Sequence, residues 1–260
     1  MNKDIKKQKI KFTCVVVAII LFIFIAIFTV VKYEVEGEKK LPFNLGKIII
    51  ISSATTEPQT SENIEENVEQ QEQKQEESYL WKENVIQTND VYIYLDKNEE
   101  FKEEIIKNIK IENIKILKPV NLGKIQVYMP NSLDGELYKY TNDFLVNTSL
   151  TYKGALADNK KTLEIGNQGG CVCLSFANVG LGVYKSNEDE YIEQGAYILE
   201  KMNINNEDLK FKVSFDLIIE VSNKSYKGTI TLDMPAGEVV GKKECHIEIT
   251  DFKDVIFKRM

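Results

Sequence analysis

The stretch that decides the fold is LKFKVSFDLIIEVSNKSYKGTITLDMP, residues 209–235. Its first half alternates six apolar residues on one face, and its second half places four more on one face: Phe211, Val213, Phe215, Leu217, Ile219 and Val221, then Tyr226, Ile230, Leu232 and Met234. A period of two is typical of a β-strand with one buried face. Ser222-Asn223-Lys224-Ser225 supplies turn residues between the halves. The stretch therefore predicts a long amphipathic β-hairpin.

Further strands are predicted on both sides of this hairpin. Alternating or β-branched runs occupy residues 47–52, 91–95, 109–117, 124–129, 144–153, 162–165, 171–184, 244–249 and 255–257. In the run at 109–117 the alternation slips by one residue at Asn113. Within this strand-rich part of the chain, helix is expected in residues 99–108, for which Asn98 is the N-cap, and in part of residues 188–202. Residues 205–208 are expected to form a polar turn. The pattern favours a mainly β fold, an antiparallel β-sandwich, of which an immunoglobulin-like arrangement is one form.

A different signal precedes these strands. Residues 12–31, FTCVVVAIILFIFIAIFTVV, form an apolar run that begins at Phe12, ends at Val31 and contains no charge, proline or glycine. At about 1.5 Å per residue, such a helix reaches roughly 30 Å, the thickness of the hydrocarbon core of a bilayer. The run predicts a single transmembrane helix, an uncleaved signal anchor. A cleaved signal peptide is the alternative, but its apolar region is shorter and ends in a small-x-small site that residues 27–31 do not offer.

The flanking charges predict the orientation of this helix. Five lysines and one aspartate precede it: Lys3, Lys6, Lys7, Lys9 and Lys11, with Asp4. Basic residues are retained on the cytoplasmic side of a membrane span. We therefore expect a cytoplasmic N-terminus in a cell membrane, with everything after the helix outside the cytoplasm.

The charge of the chain lies mostly in one segment. Residues 56–78 contain eight glutamates and one lysine, so this segment accounts for the whole formal net charge of −7. So polar a composition cannot offset the entropy of ordering, and we predict disorder there. The rest of the chain is close to neutral and lacks the basic, aromatic-interleaved patch of a nucleic-acid binder, which argues against nucleic acid as a partner.

Together these signals predict a domain organisation. The expected parts are a cytoplasmic tail (1–11), the transmembrane helix (12–31), a spacer (32–46), a strand that docks on the outer domain (47–53), an acidic disordered linker (54–79) and a β-rich outer domain (80–260). The strand at 47–53 is expected to dock because burying two isoleucines stabilises by about 3–6 kcal/mol, which slightly exceeds the roughly 3 kcal/mol of closing the linker loop.

The residues that could carry chemistry are few. Outside the membrane run they are Cys171, Cys173, Cys245 and the single histidine, His246. A zinc site formed by these four residues is a weak metal candidate. Cys245 and His246 are neighbours on a predicted strand and so point to opposite faces, and structural zinc favours C-x₂₋₄-C pairs. A thiol nucleophile with His246 as base is a second candidate, but cysteines in a core strand act as small hydrophobes. One disulfide, from Cys171 or Cys173 to Cys245, is the most that the outer domain can hold internally. No catalytic residue and no cofactor are predicted.

The order of several segments resembles a known group of sequences. LPFNLGKIIIISS, the acidic linker, WKENVIQTNDVYIYLDKNEE, LEIGNQGG, NEDLKFKVSFDLIIE with TITLDMP, and EITDFKDVIFKR follow one another here. In this the chain resembles uncharacterised single-pass membrane-anchored proteins of Clostridia-like bacteria, over nearly its whole length. The resemblance implies a membrane location and a single outer unit, and it carries over no functional residues.

These observations lead to an expected function. A patterned core without a recognisable reaction centre favours a binding or assembly module at the bacterial cell envelope, with an envelope protein or polymer as partner. An extracytoplasmic hydrolase that uses Asp and Glu carboxylates is the alternative. An Asp/Glu pair inside a cleft favours the enzyme, whereas an exposed apolar patch or an open strand edge favours the binding module.

Overall fold

The computed structural model describes residues 2–58, 81–101, 103–128, 150–153, 169–186 and 197–260. These residues form one long helix, short helices and a series of β-strands. The helices are α1 (Asn2–Glu36), α2 (Tyr197–Lys201) and α3 (Asn206–Leu209). The strands are β1 (Phe43–Pro58), β2 (Trp81–Lys97), β3 (Ile106–Lys118), β4 (Lys124–Tyr128), β5 (Leu150–Lys153), β6 (Gly169–Val179), β7 (Val183–Ser186), β8 (Phe211–Val221), β9 (Lys224–Met234), β10 (Glu244–Ile249) and β11 (Lys258–Arg259).

Helix α1 contains the predicted apolar run. From Phe12 to Glu36 it is long and apolar enough to cross a membrane, and none of that segment is buried by the rest of the protein. The helix does not end at Val31, because residues 32–36 continue it, and a left-handed Gly37 (φ 70°) then ends it. The expected spacer is therefore shorter than residues 32–46: the helix takes its beginning, and β1 takes its end from Phe43.

The strands form two antiparallel sheets. Sheet A has the order β10-β1-β2-β6-β4, with β7 paired to β2, and sheet B has the order β11-β9-β8-β3-β5. Within them, β1-β2-β6-β4 and β9-β8-β3 have the ABED and GFC orders of a constant-type immunoglobulin domain. Strands β10, β11 and β5 extend the edges of that arrangement, and β4 precedes β5 along the chain, whereas the corresponding immunoglobulin strands come in the opposite order. The mainly β, antiparallel sandwich predicted from the sequence is confirmed.

The core lies between the two sheets. All ten residues predicted to line one face of the β8–β9 hairpin are buried there, and they pack against the inner face of sheet A. The hairpin turns through Ser222 and Asn223, and Ser222 takes the positive φ of 52° that such a tight turn needs. In β3, Asn113 has a φ of 53° and the pairing with β8 shifts between Glu112 and Lys115, so the slip predicted at Asn113 is a β-bulge.

Strand β1 lies inside sheet A, between β2 and β10. Its side chains Phe43, Ile48 and Ile50 are at most 1% exposed. The strand continues to Pro58, which is longer than predicted, so residues 54–58 belong to sheet A and not to the linker. The remainder of the predicted disordered linker, residues 59–79, falls outside the described residues.

Polar side chains interrupt the inner face of sheet A beyond Ile50. Ser52, Gln87 and Asn89 are fully buried, and the Ser52 hydroxyl donates to Asn89 Oδ1 (2.8 Å). Asn89 Oδ1 also accepts from Gln87 Nε2 (2.8 Å), and the Ser52 Oγ accepts from the Ala236 N–H (2.7 Å). Beyond this row lies a second apolar cluster that holds α2 and α3 against the extended ends of β1 and β2. The hydrogen-bonded row therefore separates the two cores without leaving these buried groups unpaired.

The structure corrects the expected helix at residues 99–108. A single 3-10 turn occupies Glu99–Phe101, and β3 already begins at Ile106. Asn98 does start the turn, since its side-chain oxygen accepts from the Glu100 N–H (3.0 Å). The helix does not propagate because the Ile106 side chain is buried in the main core, which draws the chain into sheet B.

Three further predictions are wrong in detail. The strand expected at 171–184 is two strands, β6 and β7, because Gly180 and Gly182 take φ values of 75° and 130° between them; both strands pair with β2. The expected polar turn at 205–208 is the helical turn α3, closed by Asn205 and Asp208. The last strand is β11 and not residues 255–257, because the Phe257 ring is buried over Gly228. The expected strands at 144–149 and 162–165 lie outside the described residues, as does the helical prediction for 188–196.

Candidate functional site

The four candidate metal ligands do not lie together. Cys171 and Cys173 are on β6, opposite Tyr94 and Tyr92 of β2, whereas Cys245 and His246 are on β10. Two strands separate β6 from β10, so their backbones are about 14 Å apart at the usual strand spacing of roughly 4.8 Å. A disulfide requires Cα atoms within about 7 Å, and all four cysteines of the chain are free thiols. Among the described residues, no group of three His, Cys, Asp or Glu side chains is placed to hold a metal ion.

The cysteines are also poorly placed for nucleophilic chemistry. Burial raises the pKa of the Cys171 thiol, and a hydrogen bond with Tyr94 offsets this only in part. The Cys173 side chain is buried. His246 lies across the sheet, on β10, and its side chain is exposed. A neutral thiol without a nearby base is a weak nucleophile, so the geometry does not support a cysteine-histidine pair.

The outer face of sheet B holds a carboxylate cluster around Asp216. This residue, on β8, has a side chain that is only 12% exposed. Its Oδ1 accepts from the Thr229 hydroxyl at 2.7 Å, and its Oδ2 accepts from Asn113 Nδ2 at 2.7 Å. The Lys227 ammonium lies 3.2 Å from Oδ2. Two strands, β3 and β9, thus supply the partners of one carboxylate on the strand between them.

The electrostatics of this cluster favour a structural role. Partial burial alone would raise the pKa of Asp216, but the hydrogen bonds from Asn113 and Thr229 and the charge of Lys227 outweigh it, so the pKa lies below its ordinary value. Both carboxylate oxygens are occupied. Glu112 is opposite Asp216 in the sheet, but both stand on the outer sheet face. A general acid needs a raised pKa, which Asp216 does not have, and an inverting pair needs a cleft for water, whereas these two residues stand on the outer sheet face.

The open edge of strand β9 is a surface that can bind a partner. In β9 the backbone groups of residues 224, 226, 228, 230, 232 and 234 point towards β8, because the two-residue turn makes Val221 and Lys224 the first hydrogen-bonded pair. The odd-numbered residues point outward. Ser225 and Lys227 meet the C-terminal segment, where the Met260 N–H donates to the Ser225 carbonyl (2.8 Å) and Lys258 pairs with Lys227. Beyond Lys227, no described strand pairs with this side of β9.

We define the β9 edge as the outward backbone groups of Thr229, Thr231 and Asp233. All three residues are exposed. At its far end lies a cavity of about 360 Å³. Its lining combines two lysines and two acidic residues with an apolar floor, and it consists of Lys118, Lys210, Phe211, Asp233, Met234, Pro235, Gly237 and Glu238. The β9 edge and this cavity form one continuous surface, since Asp233 belongs to both.

Thr229, Thr231 and Asp233 do not stand out in the sequence as candidate binding residues. The alternation of Thr229, Thr231 and Asp233 with apolar residues predicts their solvent exposure, and exposure is what the structure shows. It does not reveal that β9 has a neighbour on one side only, because strand order depends on contacts that are distant in sequence. The one signal in the sequence was negative: the outward positions from Thr229 to Asp233 contain no lysine or proline of the kind that protects many edge strands.

The described residues thus offer an open edge on β9 and neither a metal centre nor an activated thiol. A β-sandwich with an open edge does not by itself identify a family, because the same architecture serves many functions. Comparisons with known protein families, with curated proteins and with solved structures find no match to this chain.

Proposed function

We propose that this chain is a single-pass protein of the bacterial cell envelope, and that its β-sandwich is an extracytoplasmic binding or assembly module. The open β9 edge is the observation that carries the proposal. The partner is a protein, because a protein alone supplies an extended strand that can add to this edge. The lysine-rich start of α1, before the apolar run, supports the outward placement of the sandwich, since lysines are retained on the cytoplasmic side.

The energetics of strand addition fit a reversible contact. Thr229, Thr231 and Asp233 each present one N–H and one C=O outward, so an antiparallel partner strand makes up to about six hydrogen bonds. At roughly 0.5–1.5 kcal/mol net each, these provide about 3–9 kcal/mol before the cost of association is subtracted. Backbone bonds alone therefore give weak binding. A partner side chain in the cavity beside Asp233 supplies the additional burial and the selectivity.

The alternative function, a carboxylate hydrolase, lacks a supporting observation among the described residues. Asp216 is the most enclosed carboxylate on the outer face of sheet B, and both of its oxygens accept hydrogen bonds from the fold. Its lowered pKa keeps it ionised and unable to donate a proton near neutral pH.

Photo-crosslinking in the host membrane tests the strand-addition function. A photoreactive phenylalanine analogue replaces Asp233 in the full chain, and the same analogue replaces the exposed Lys253 as a position far from the β9 edge. We expect an adduct to one partner from position 233 only. Thr231→Pro removes an outward N–H and should abolish the adduct, while Thr231→Ala keeps that N–H and should preserve it. An adduct that survives Thr231→Pro, or that forms equally from position 253, contradicts strand addition at β9.

A further inference from the structure

A cavity of about 500 Å³ lies at the end of the sandwich next to α1. Three segments surround it: the connection between α1 and β1, the turn after β2, and the segment before β11. The first contributes Lys39, Lys40 and Leu41, the second contributes Glu100, and the third contributes Phe252 and Val255. The cavity lining thus combines charged groups with partly exposed apolar side chains. It is separate from the β9 edge, and its occupant does not depend on the function proposed for that edge.

The contacts of α1 place this cavity at the membrane surface. The Arg259 N–H donates to the Tyr33 hydroxyl (2.7 Å), and the Glu38 N–H donates to the Phe257 carbonyl (2.7 Å). Tyr33 is two residues beyond Val31, which is about 3 Å along a helix. The headgroup layer on each side of a bilayer is roughly 5–7 Å deep. The C-terminal segment, and with it one wall of the cavity, therefore reaches the headgroup layer.

The charges around the cavity favour an anion. Lys39 and Lys40 contribute two positive charges to the lining and Glu100 contributes one negative charge. The two lysine side chains are 72% and 75% exposed, and their ion pairs, with Glu36 at 3.7 Å and with Glu100 at 3.2 Å, are exposed as well. Ion pairs in such a setting contribute little to stability, so both ammonium groups can exchange these partners for a phosphate. The lining also presents partly exposed apolar side chains to a long apolar chain, namely Leu41, Leu45, Phe252 and Val255, whereas Phe43 and Phe257 are buried behind them.

From this combination we infer that the cavity binds an anionic glycerophospholipid of the bilayer in which α1 is embedded. Lys39 and Lys40 hold the headgroup phosphate, and the partly exposed apolar side chains of the lining cover the glycerol and the first carbons of an acyl chain. The bound lipid contacts the connection after α1 and the segment before β11 at once, so it joins the anchor to the sandwich at the membrane surface.

Native mass spectrometry of the full chain from nanodiscs tests this inference. The nanodiscs contain equal amounts of phosphatidylglycerol and phosphatidylcholine. We expect one phosphatidylglycerol to remain on the protein after the other lipids are removed. Lys39→Gln with Lys40→Gln should lower its retention at least tenfold. Lys110→Gln with Lys115→Gln makes the same change of charge on the outer face of sheet B and should leave retention unchanged.

Two readouts distinguish a bound lipid from a soluble anion and from a loss of folding. Val255→Trp fills part of the cavity and should also release the lipid while both lysines remain. Thermal unfolding of each variant shows whether the sandwich is intact, and the exposed lysines are not expected to change it. Equal retention of the two lipids, or retention that the Lys39 and Lys40 variant does not lower, overturns the inference. Displacement of the lipid by millimolar inorganic phosphate overturns it too, because the site would then select a soluble anion.

Discussion

Asp216 joins three strands of sheet B through one side chain. It accepts hydrogen bonds from Asn113 on β3 and Thr229 on β9, and it pairs with Lys227. Hydrogen bonds to a charged group contribute about 1.5–3 kcal/mol each, and a partner left unsatisfied is costly. The cluster therefore fixes the register of β8 against both neighbours, next to the bulge at Asn113.

Replacing Asp216 should destabilise the sandwich in a pH-dependent way. We expect Asp216→Asn to lower the free energy of unfolding by about 1–3 kcal/mol at neutral pH. The pKa of Asp216 in the folded chain lies below its unfolded value of about 4, so its contribution is complete above that value and is lost as the pH falls through the folded pKa. The difference between the two proteins should thus shrink below about pH 4.

Urea unfolding of the full chain in detergent, followed by circular dichroism across this pH range, measures that difference. Asp233→Asn is the matched control, because Asp233 is 81% exposed and its one ion pair among the described residues is with Lys212, so the change should affect stability little. A difference between wild type and Asp216→Asn that stays constant from neutral to acid pH contradicts the role of the ionised carboxylate.

Some of these single-residue features can be predicted from the sequence, and others cannot. The bulge at Asn113 is visible because a slip of alternation is a local pattern, and the pattern needs no knowledge of neighbouring strands. The partners of Asp216 are not visible, because Asn113 and Thr229 are brought together only by the pairing of β3, β8 and β9. The separation of Cys171 from Cys245 likewise depends on the order of sheet A.

Among the elements, the end of α1 is held by the C-terminal segment. Gly37 is buried with a φ of 70°, and a Cβ at this position would lie 2.5 Å from both the Ile256 Cγ2 and the Phe257 carbonyl oxygen. An ion pair between Glu34 and Lys258 lies beside it. A glycine is therefore required here both for the backbone conformation and for the close approach of the two segments.

Gly37→Ala should separate α1 from the C-terminal segment. A carbodiimide that joins a carboxylate directly to an amine should link Glu34 to Lys258 efficiently in the wild type and several-fold less in the variant. Peptide mass spectrometry after digestion quantifies the link. Gly241→Ala is the control, since it also places alanine at a positive φ (76°), but its Cβ would meet only the side chain of Glu200. Equal crosslinking in Gly37→Ala and wild type contradicts the requirement for glycine at the contact between α1 and the C-terminal segment.

The elements that the sequence predicts well are those with long regular patterns. The β8–β9 hairpin and the apolar helix need no tertiary information, because period and length decide them. Short elements are less certain: the segment after Asn98 has helical composition, but the burial of Ile106 turns it into a strand. Tertiary packing overrides local propensity at such places.

For the molecule as a whole, β1 is a necessary part of the sandwich. It contributes three fully buried large side chains, Phe43, Ile48 and Ile50, and it fills the place between β2 and β10. Burial of three such side chains stabilises by roughly 5–9 kcal/mol, which is comparable to the total stability of a domain, about 5–15 kcal/mol.

We therefore expect residues 81–260 alone not to fold. Residues 38–260, which include β1, should unfold cooperatively in a thermal melt followed by circular dichroism. Addition of a peptide with the sequence of residues 43–58 to the shorter fragment should restore the β-sheet signal, whereas the same peptide with both Ile48→Asp and Ile50→Asp should not. A cooperative melt of residues 81–260 without the peptide contradicts the requirement for β1.

The sandwich and the apolar helix are predictable from the sequence, but the strand order of the sandwich is not. Two sheets follow from many short amphipathic strands, each of which must bury one face. The position of β1 between β2 and β10 cannot be predicted in this way, because nearly two hundred residues separate β1 from β10 along the chain. The open β9 edge depends on the same long-range order, which is why the candidate binding surface could be identified only in the structure.

The position of β1 also determines how the protein carries mechanical load. In the proposed role, tension between the membrane and a partner reaches the sandwich partly through β1, which follows α1 after a short connection at residues 37–42. Its residues pair with fifteen residues of β2 and six of β10, and antiparallel hydrogen bonds run perpendicular to the strands. A pull along β1 therefore shears all of these bonds together and does not unzip them one at a time. The pairings of β1 therefore resist force along the strand, as the proposed role of a membrane-anchored binding module requires.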